Sequence, residues 1–236
     1  MKFISQAIVL ILPVFVSAQF AGFNLADIEQ DKFKENVEPS IKSVSISSIN
    51  HFEDQFNTNK RLQLGLSYSH AINISGASEA SELFGGYPNI GAGLMISENL
   101  KLKGNFAVFN SGKDVVQSFA YGAGINISTN EKSTWRMSLM VSELSGPTDI
   151  EIKAMDGVVN YRFRIKGMPT FIGLGTNSYK SKILLESDEL PDIIKGNTLY
   201  LSFGLQLVKN NFTATPIIKL SSDALIVGLE FSGVVI

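Results

Sequence analysis

The 236-residue chain has no cysteine, two histidines and a single tryptophan. Without cysteine there is no disulfide framework, thiol nucleophile or thiolate metal site, and two histidines alone do not make a structural zinc site. An excess of one charge is lacking too: 20 Lys plus Arg stand against 22 Asp plus Glu, a formal net charge of −2, so nothing directs the chain to DNA or RNA. After its first 18 residues the chain has no run of 18 apolar residues, so membrane association of the mature chain must use something other than a helix. What is abundant is apolar residue, 44% of the chain, with 20 Gly and 16 Phe, which excludes wholesale disorder.

The beginning reads as an export signal. Lys2 supplies positive charge, Ala7 to Val16 is almost entirely apolar, and Val16-Ser17-Ala18 places small residues where a signal peptidase reads. The run is shorter than the ~20 residues of a spanning helix and contains Pro13, so residues 1–18 are expected to be a signal peptide for Sec export rather than an anchor.

The rest divides in two. Residues 19–60 are polar and irregular, with Leu25, Ile28, Phe33, Val37 and Ile41 spaced for one short amphipathic helix, followed by coil. This is the acidic part of the protein, expected to form a periplasmic or plug-like segment. From Arg61 to Ile236 the period becomes two. Leu62, Leu64, Leu66, Tyr68, His70, Ile72 and Ile74 alternate with Gln63, Gly65, Ser67, Ser69, Ala71, Asn73 and Ser75, and nine further stretches follow suit, giving ten expected strands.

The second face of those strands decides what they border. Ser118, Ala120, Gly122, Gly124, Asn126 and Ser128 are small and neutral where a soluble sheet would show water Lys, Glu and Thr. Such residues suit the crowded interior of a narrow closed ring, and a closed ring of antiparallel strands leaves no backbone group unpaired in lipid. The expected fold is therefore all-β, an antiparallel up-and-down transmembrane barrel of about ten strands over residues 61–236. Short connections around residues 97–99, 129–132, 166–168 and 209–211 alternate with longer ones at 76–89, 143–149 and 184–197, the pattern of short periplasmic turns and long outer loops. Aromatics fall into two girdles: Trp135, Phe163, Phe212 and Phe231 at the periplasmic interface, and Tyr68, Phe119 and Tyr121 toward the outer one. Two features fit poorly. Pro216, in mid-strand, calls for a bulge, and Ile150 and Ile152 sit on the parity opposite to Val159 and Tyr161, so the sixth strand either starts after a bulge near Gly157 or runs beyond the membrane.

The order of segments, with PNIGAGLMISENLKLKGNFAVF, FAYGAGINI, GMPTFIGLGTNSYKSKILLE and a closing ALIVGLEFSG, resembles an uncharacterised outer-membrane β-barrel family of Bacteroidota-type Gram-negative bacteria. The resemblance lies in pattern over most of the mature chain. It implies a barrel in the outer membrane and carries no activity with it.

No catalytic constellation is legible. His51 and His70 have no acid or nucleophile fixed beside them at a readable spacing, and the Gly-x-Gly pairs lie within strands rather than before a helix, so neither an enzyme nor a phosphate loop is expected. No cofactor is expected. What remains is charge: by parity and direction Lys101, Lys103, Arg136, Arg162 and Arg164 face inward near the periplasmic end, with Glu230 as an inward acid. Either they pair with Glu230 and solvent as interior filling, or the acidic stretch Asp27 to Glu38 docks against them as a plug. The expected partner is the lipid bilayer of the outer membrane, with a small solute or lipid-like ligand and no nucleic acid. Two functions fit, permeation or binding of such a solute, and a non-transporting barrel that anchors partners; a soluble secreted lipid-binding barrel is the third.

Overall fold

The computed structural model describes residues 25, 33–53, 61–75, 85–111, 113–129, 133–185 and 190–235; the expected signal peptide and the acids Asp27, Glu29 and Asp31 lie outside them. One helix, α1 (Phe33–Ser47), precedes the strands β1 (Leu62–Asn73), β2 (Gly86–Met95), β3 (Leu100–Ser111), β4 (Asp114–Thr129), β5 (Thr134–Ser145) and β6 (Ile150–Ile165). After them come β7 (Met168–Ile183), β8 (Ile193–Leu205), β9 (Leu207–Lys209), β10 (Phe212–Ser221) and β11 (Ala224–Val234).

Successive strands pair antiparallel, with β8 and β9 both pairing β10, and β11 closes the ring on β1 from Gln63↔Val234 to Asn73↔Ala224. β9 continues β8 past Gln206, whose N–H donates to Pro169 O at 2.8 Å, so the two form one stave and the barrel has ten. Lys166-Gly167 and Asn210-Asn211 turn the chain in two residues with positive φ at Lys166, Gly167 and Asn210, as tight hairpins require.

Pro216 makes no bulge. It pairs with Leu229 on one side, and on the other the register is the same before it (Ala214↔Leu207) and after it (Ile217↔Gly204). The missing N–H interrupts the ladder without shifting it. A register shift lies instead between Asn126 and Ser128, in β4 against β5. Gly157 makes no bulge either, since it pairs in unbroken register with Thr176, and Ile150 and Ile152 are buried inside the ring against α1. Their parity is that of the inward face, which is apolar at this end.

The other face carries grease outward. Leu66, Ile90, Ile127, Leu174 and Leu199 are each more than half exposed, while the inward neighbours of Ile90, Leu174 and Leu199 (Asn89, Gly91, Gly173, Gly175, Thr198 and Tyr200) are buried. That inside-out pattern removes the soluble-barrel reading, because water would meet a continuous apolar band. The protein is a membrane-spanning barrel of the outer-membrane type. The 16 residues of β6 and of β7, at ~3.3 Å each and a tilt near 45°, cover roughly 37 Å, more than the ~25 Å band. These strands therefore project beyond the lipid, and they do so at the end of the longer loops.

The aromatics sit on this outer wall. Trp135 and Tyr161 lie 4.8 Å apart and Tyr161 and Phe163 5.5 Å, a stack at the short-turn end, where Phe212 and Phe231 are also exposed. Phe119 and Tyr121 lie 5.8 Å apart nearer the long-loop end. Tyr68 rests across Gly86, where a Cβ would fall 1.8 Å from its hydroxyl.

Candidate functional site

The barrel encloses a segment of its own chain. α1 enters the lumen at the long-loop end, residues 48–53 continue toward the short turns, and Glu53 lies among the charges there. The segment expected to be periplasmic or plug-like is, in its described part, inside the ring.

The upper part is apolar. Phe33, Val37, Ile41 and Val44 recur at helical spacing on α1 and are buried against Tyr87, Phe109, Val116, Met140, Leu144, Ile150, Ile152 and Ile194 of the wall. Leu25 N donates to Asp149 Oδ2 at 2.8 Å, which ties the entering chain to the β5–β6 loop. The helix then turns small and polar. Ser43, Ser45 and Ser48 donate to carbonyls three residues back at 2.8–3.0 Å, so their hydroxyls cost no unpaired group in a lumen too narrow for larger side chains.

Where the helix ends, its carbonyls need partners, and the wall supplies them. Lys219 Nζ donates to Ile46 O at 3.3 Å and Ile49 O at 3.2 Å, Asn89 to Ser47 O at 3.3 Å, and Asn105 to Asn50 O at 2.7 Å. Lys103 donates to His51 O, and Gln63 to Glu53 O at 3.1 Å. Six successive or near-successive carbonyls are thus met by side-chain donors from β1, β2, β3 and β10.

Two acidic knots hold the segment sideways. Asp156 on β6 accepts at Oδ1 from Tyr200 OH at 2.7 Å and lies 2.7 Å from His51 Nε2; its Oδ2 accepts from Asn177 Nδ2 at 2.9 Å. Asn177 in turn accepts from Ser45 Oγ at 2.7 Å. Lower down, Glu53 Oε2 stands 3.7 Å from both Arg136 Nη1 and Arg162 Nε, and its Oε1 accepts from Asn160 Nδ2 at 2.6 Å. Buried charges without such partners would be prohibitive.

Of the charges expected in the lumen, Lys101, Lys103, Arg136, Arg162 and Glu230 are buried there. Lys101 donates to Gln63 Oε1, and Glu230 feels the charges of Lys101, Lys103 and Glu53. Arg164 is a correction. It shares the parity of Arg162 but lies two residues further on, beyond the closed part of the ring, and is exposed. Among the described residues the acid that meets the basic ring is Glu53; of the stretch Asp27 to Glu38 expected to dock there, Asp27, Glu29 and Asp31 lie outside the described residues. Glu38 belongs to the opposite end, where it accepts from Tyr179 OH at 2.9 Å and pairs with Lys42 at 3.5 Å, and Lys42 also reaches Asp223 at 3.2 Å. Glu35 is exposed.

Sequence reasoning missed Asp156, Asn177, Tyr200 and Lys219, four inward polar residues in otherwise apolar or small stretches, and it treated His51 as isolated. Among the described residues no group of three or more His, Asp or Glu is placed to hold a metal ion.

No protein-family profile matches the chain, and neither does any curated protein. Among solved structures, the chain is similar to an outer membrane channel from Pseudomonas putida F1, at 10% identity and a TM-score of 0.48, over 78% of this chain and 100% of that one. Neisserial surface protein A is similar at 12% identity and 0.36, over 74% and 97% of the two chains. Outer membrane protein Omp33 of Acinetobacter baumannii is similar at 6% and 0.37, over 75% and 98%. These are similarities of barrel outline, and the lumen's contents have to speak for its use.

Proposed function

We propose that this outer-membrane barrel is a gated permeation protein, closed by its own amino-terminal segment, whose open lumen passes small acidic or acceptor-rich solutes. The carrying observation is the column of donors, Lys219, Asn89, Asn105, Lys103 and Gln63, that the wall directs at backbone carbonyls of a segment outside the wall. A passing anion or polyol can take the place of those carbonyls one by one. With residues 33–53 gone, the described lumen keeps five cations, Lys101, Lys103, Arg136, Arg162 and Lys219, against the two acids Asp156 and Glu230. An α-helix is about 10 Å across, so its departure leaves room for a small solute where side chains alone would otherwise fill a ring of this size.

In planar bilayers the full-length protein should be silent or open rarely. Deletion of residues 19–60, or the gentler pair His51→Ala with Glu53→Gln, should give discrete, anion-selective steps. If both variants keep the heat-modifiable gel mobility of a closed ring and stay silent at every potential, the lumen is permanent filling and the barrel is a non-conducting anchor.

A further inference from the structure

The outer wall carries a charge arrangement that neither the lumen nor the fold requires. Glu143 stands opposite Lys153, Lys153 opposite Lys180 and Lys180 opposite Lys195, on four neighbouring strands and all facing outward. With strands ~4.8 Å apart, three lysines lie side by side in one row of the ladder over about 10 Å, a juxtaposition of like charges that weakens a sheet. Only Lys153 is offset, by Glu143 at 2.9 Å. Neither Lys180 nor Lys195 has an ion-pair partner among the described residues.

Their height is specific. On β6 the outward positions below Lys153 are Met155, Gly157 and Val159, and on β8 those below Lys195 are Asn197, Leu199 and Leu201. The row therefore stands one or two steps, each worth roughly 5 Å of height on the tilted strand, above the apolar band. This is the long-loop end, and there the wall is hollowed into a concavity of about 980 Å³ that Lys153, Lys180 and Lys195 share with Phe119, Tyr121 and Met155. Phe119 continues the row beyond Glu143, and Tyr121 and Met155 lie one step below the cations. A ligand with phosphate at one end and acyl chain at the other matches both parts at once, and the membrane presents such a molecule at this height.

We propose that Lys153, Lys180 and Lys195 form a binding site for the phosphate of an outer-leaflet lipid, whose acyl chains lie against Phe119, Tyr121 and Met155. The site is independent of whether the lumen opens.

The test is native mass spectrometry of the full-length protein in a zwitterionic detergent, titrated with diphosphoryl lipid A or with a phosphocholine lipid of matched chain length. The wild type should retain the diphosphoryl lipid at least tenfold better. Lys180→Ala with Lys195→Ala should lower its affinity by about thirtyfold, at the strength typical of two surface lysines. Lys166→Ala with Lys209→Ala, at the opposite end, should leave it unchanged. Inorganic phosphate at millimolar concentration should not displace the lipid. Equal retention of the two lipids, an unchanged double variant, or displacement by inorganic phosphate alone would each overturn the site, the last by reducing it to a free-anion patch.

Discussion

At the scale of single residues the lumen is organised by which acid meets which base. Glu53 answers to two arginines at equal distance, so removing either leaves the other facing a carboxylate shared with fewer partners in a place water does not reach. Breaking a buried pair from one side costs about 3–5 kcal/mol. Arg162→Gln should therefore loosen the enclosed segment, read as faster protease cleavage within residues 24–54 of the detergent-solubilised protein. Arg164→Gln should leave that rate unaltered, because Arg164 is exposed; a rise equal to that of Arg162→Gln would mean that rim charge, not the buried knot, holds the segment. Asp156→Asn is the parallel change in the upper knot. It keeps the shape, but the amide nitrogen is no longer an acceptor for all of His51, Tyr200 and Asn177, and it should lower the temperature of the barrel's heat-modifiable transition. The basic half of this chemistry was legible, since strand parity alone placed Lys101, Lys103, Arg136 and Arg162 indoors. The acidic half was not. Parity says nothing about an irregular segment, so Glu53 looked like one acid among seven, and Asp156 was hidden by the doubt over where β6 begins.

At the scale of elements, glycines record what lies against them. Gly65 on β1 and Gly91 on β2 face each other, and the ring of Phe52 fills the space between them. A Cβ on Gly65 would fall 2.4 Å from Phe52 Cε1, and one on Gly91 1.9 Å from Cε2. Phe52 holds φ at 32°, a left-handed conformation that costs a non-glycine residue about 1–3 kcal/mol, with its N–H on Asn50 Oδ1 at 3.0 Å. The socket keeps the ring there. Gly91→Val should evict Phe52 and raise open probability in bilayers, whereas Gly104→Ala, with nothing nearer than 3.7 Å, should behave as wild type. An ordinary closed record from Gly91→Val would show that Phe52 is a passenger. The sequence announced that the lumen was crowded but not by what, because a glycine leaves a hole whose occupant is far away in the chain. For the same reason the apolar spacing that announced the helix was followed only to Ile41, whereas α1 continues to Ser47. Its last two turns, from Ser40 to Ser47, intersperse serine with Ile41, Val44 and Ile46, and the closeness of the walls makes serine the suitable choice between them.

At the scale of the whole molecule the question is which end faces out. The threaded segment gives the barrel a direction: α1 starts at the long-loop end, and the chain passes down the lumen before it begins β1 at the short-turn end. Long loops lie outside in outer-membrane barrels, so Glu35, on the first turn of α1 and exposed, should reach the outer mouth although it precedes every strand. A reading by strand parity alone puts everything before β1 on the periplasmic side, since it has no means of knowing that the chain enters the lumen from the far end. The lack of cysteine makes the distinction measurable, because a single introduced thiol is the only one present. Glu35→Cys and Thr148→Cys should react with a membrane-impermeant maleimide on intact cells, and Lys209→Cys, beside the short turn after β9, only after the outer membrane is opened. If Lys209→Cys labels on intact cells and Thr148→Cys does not, the barrel is inverted. The lysine row then faces the periplasmic leaflet, and the mouth that α1 closes opens inward.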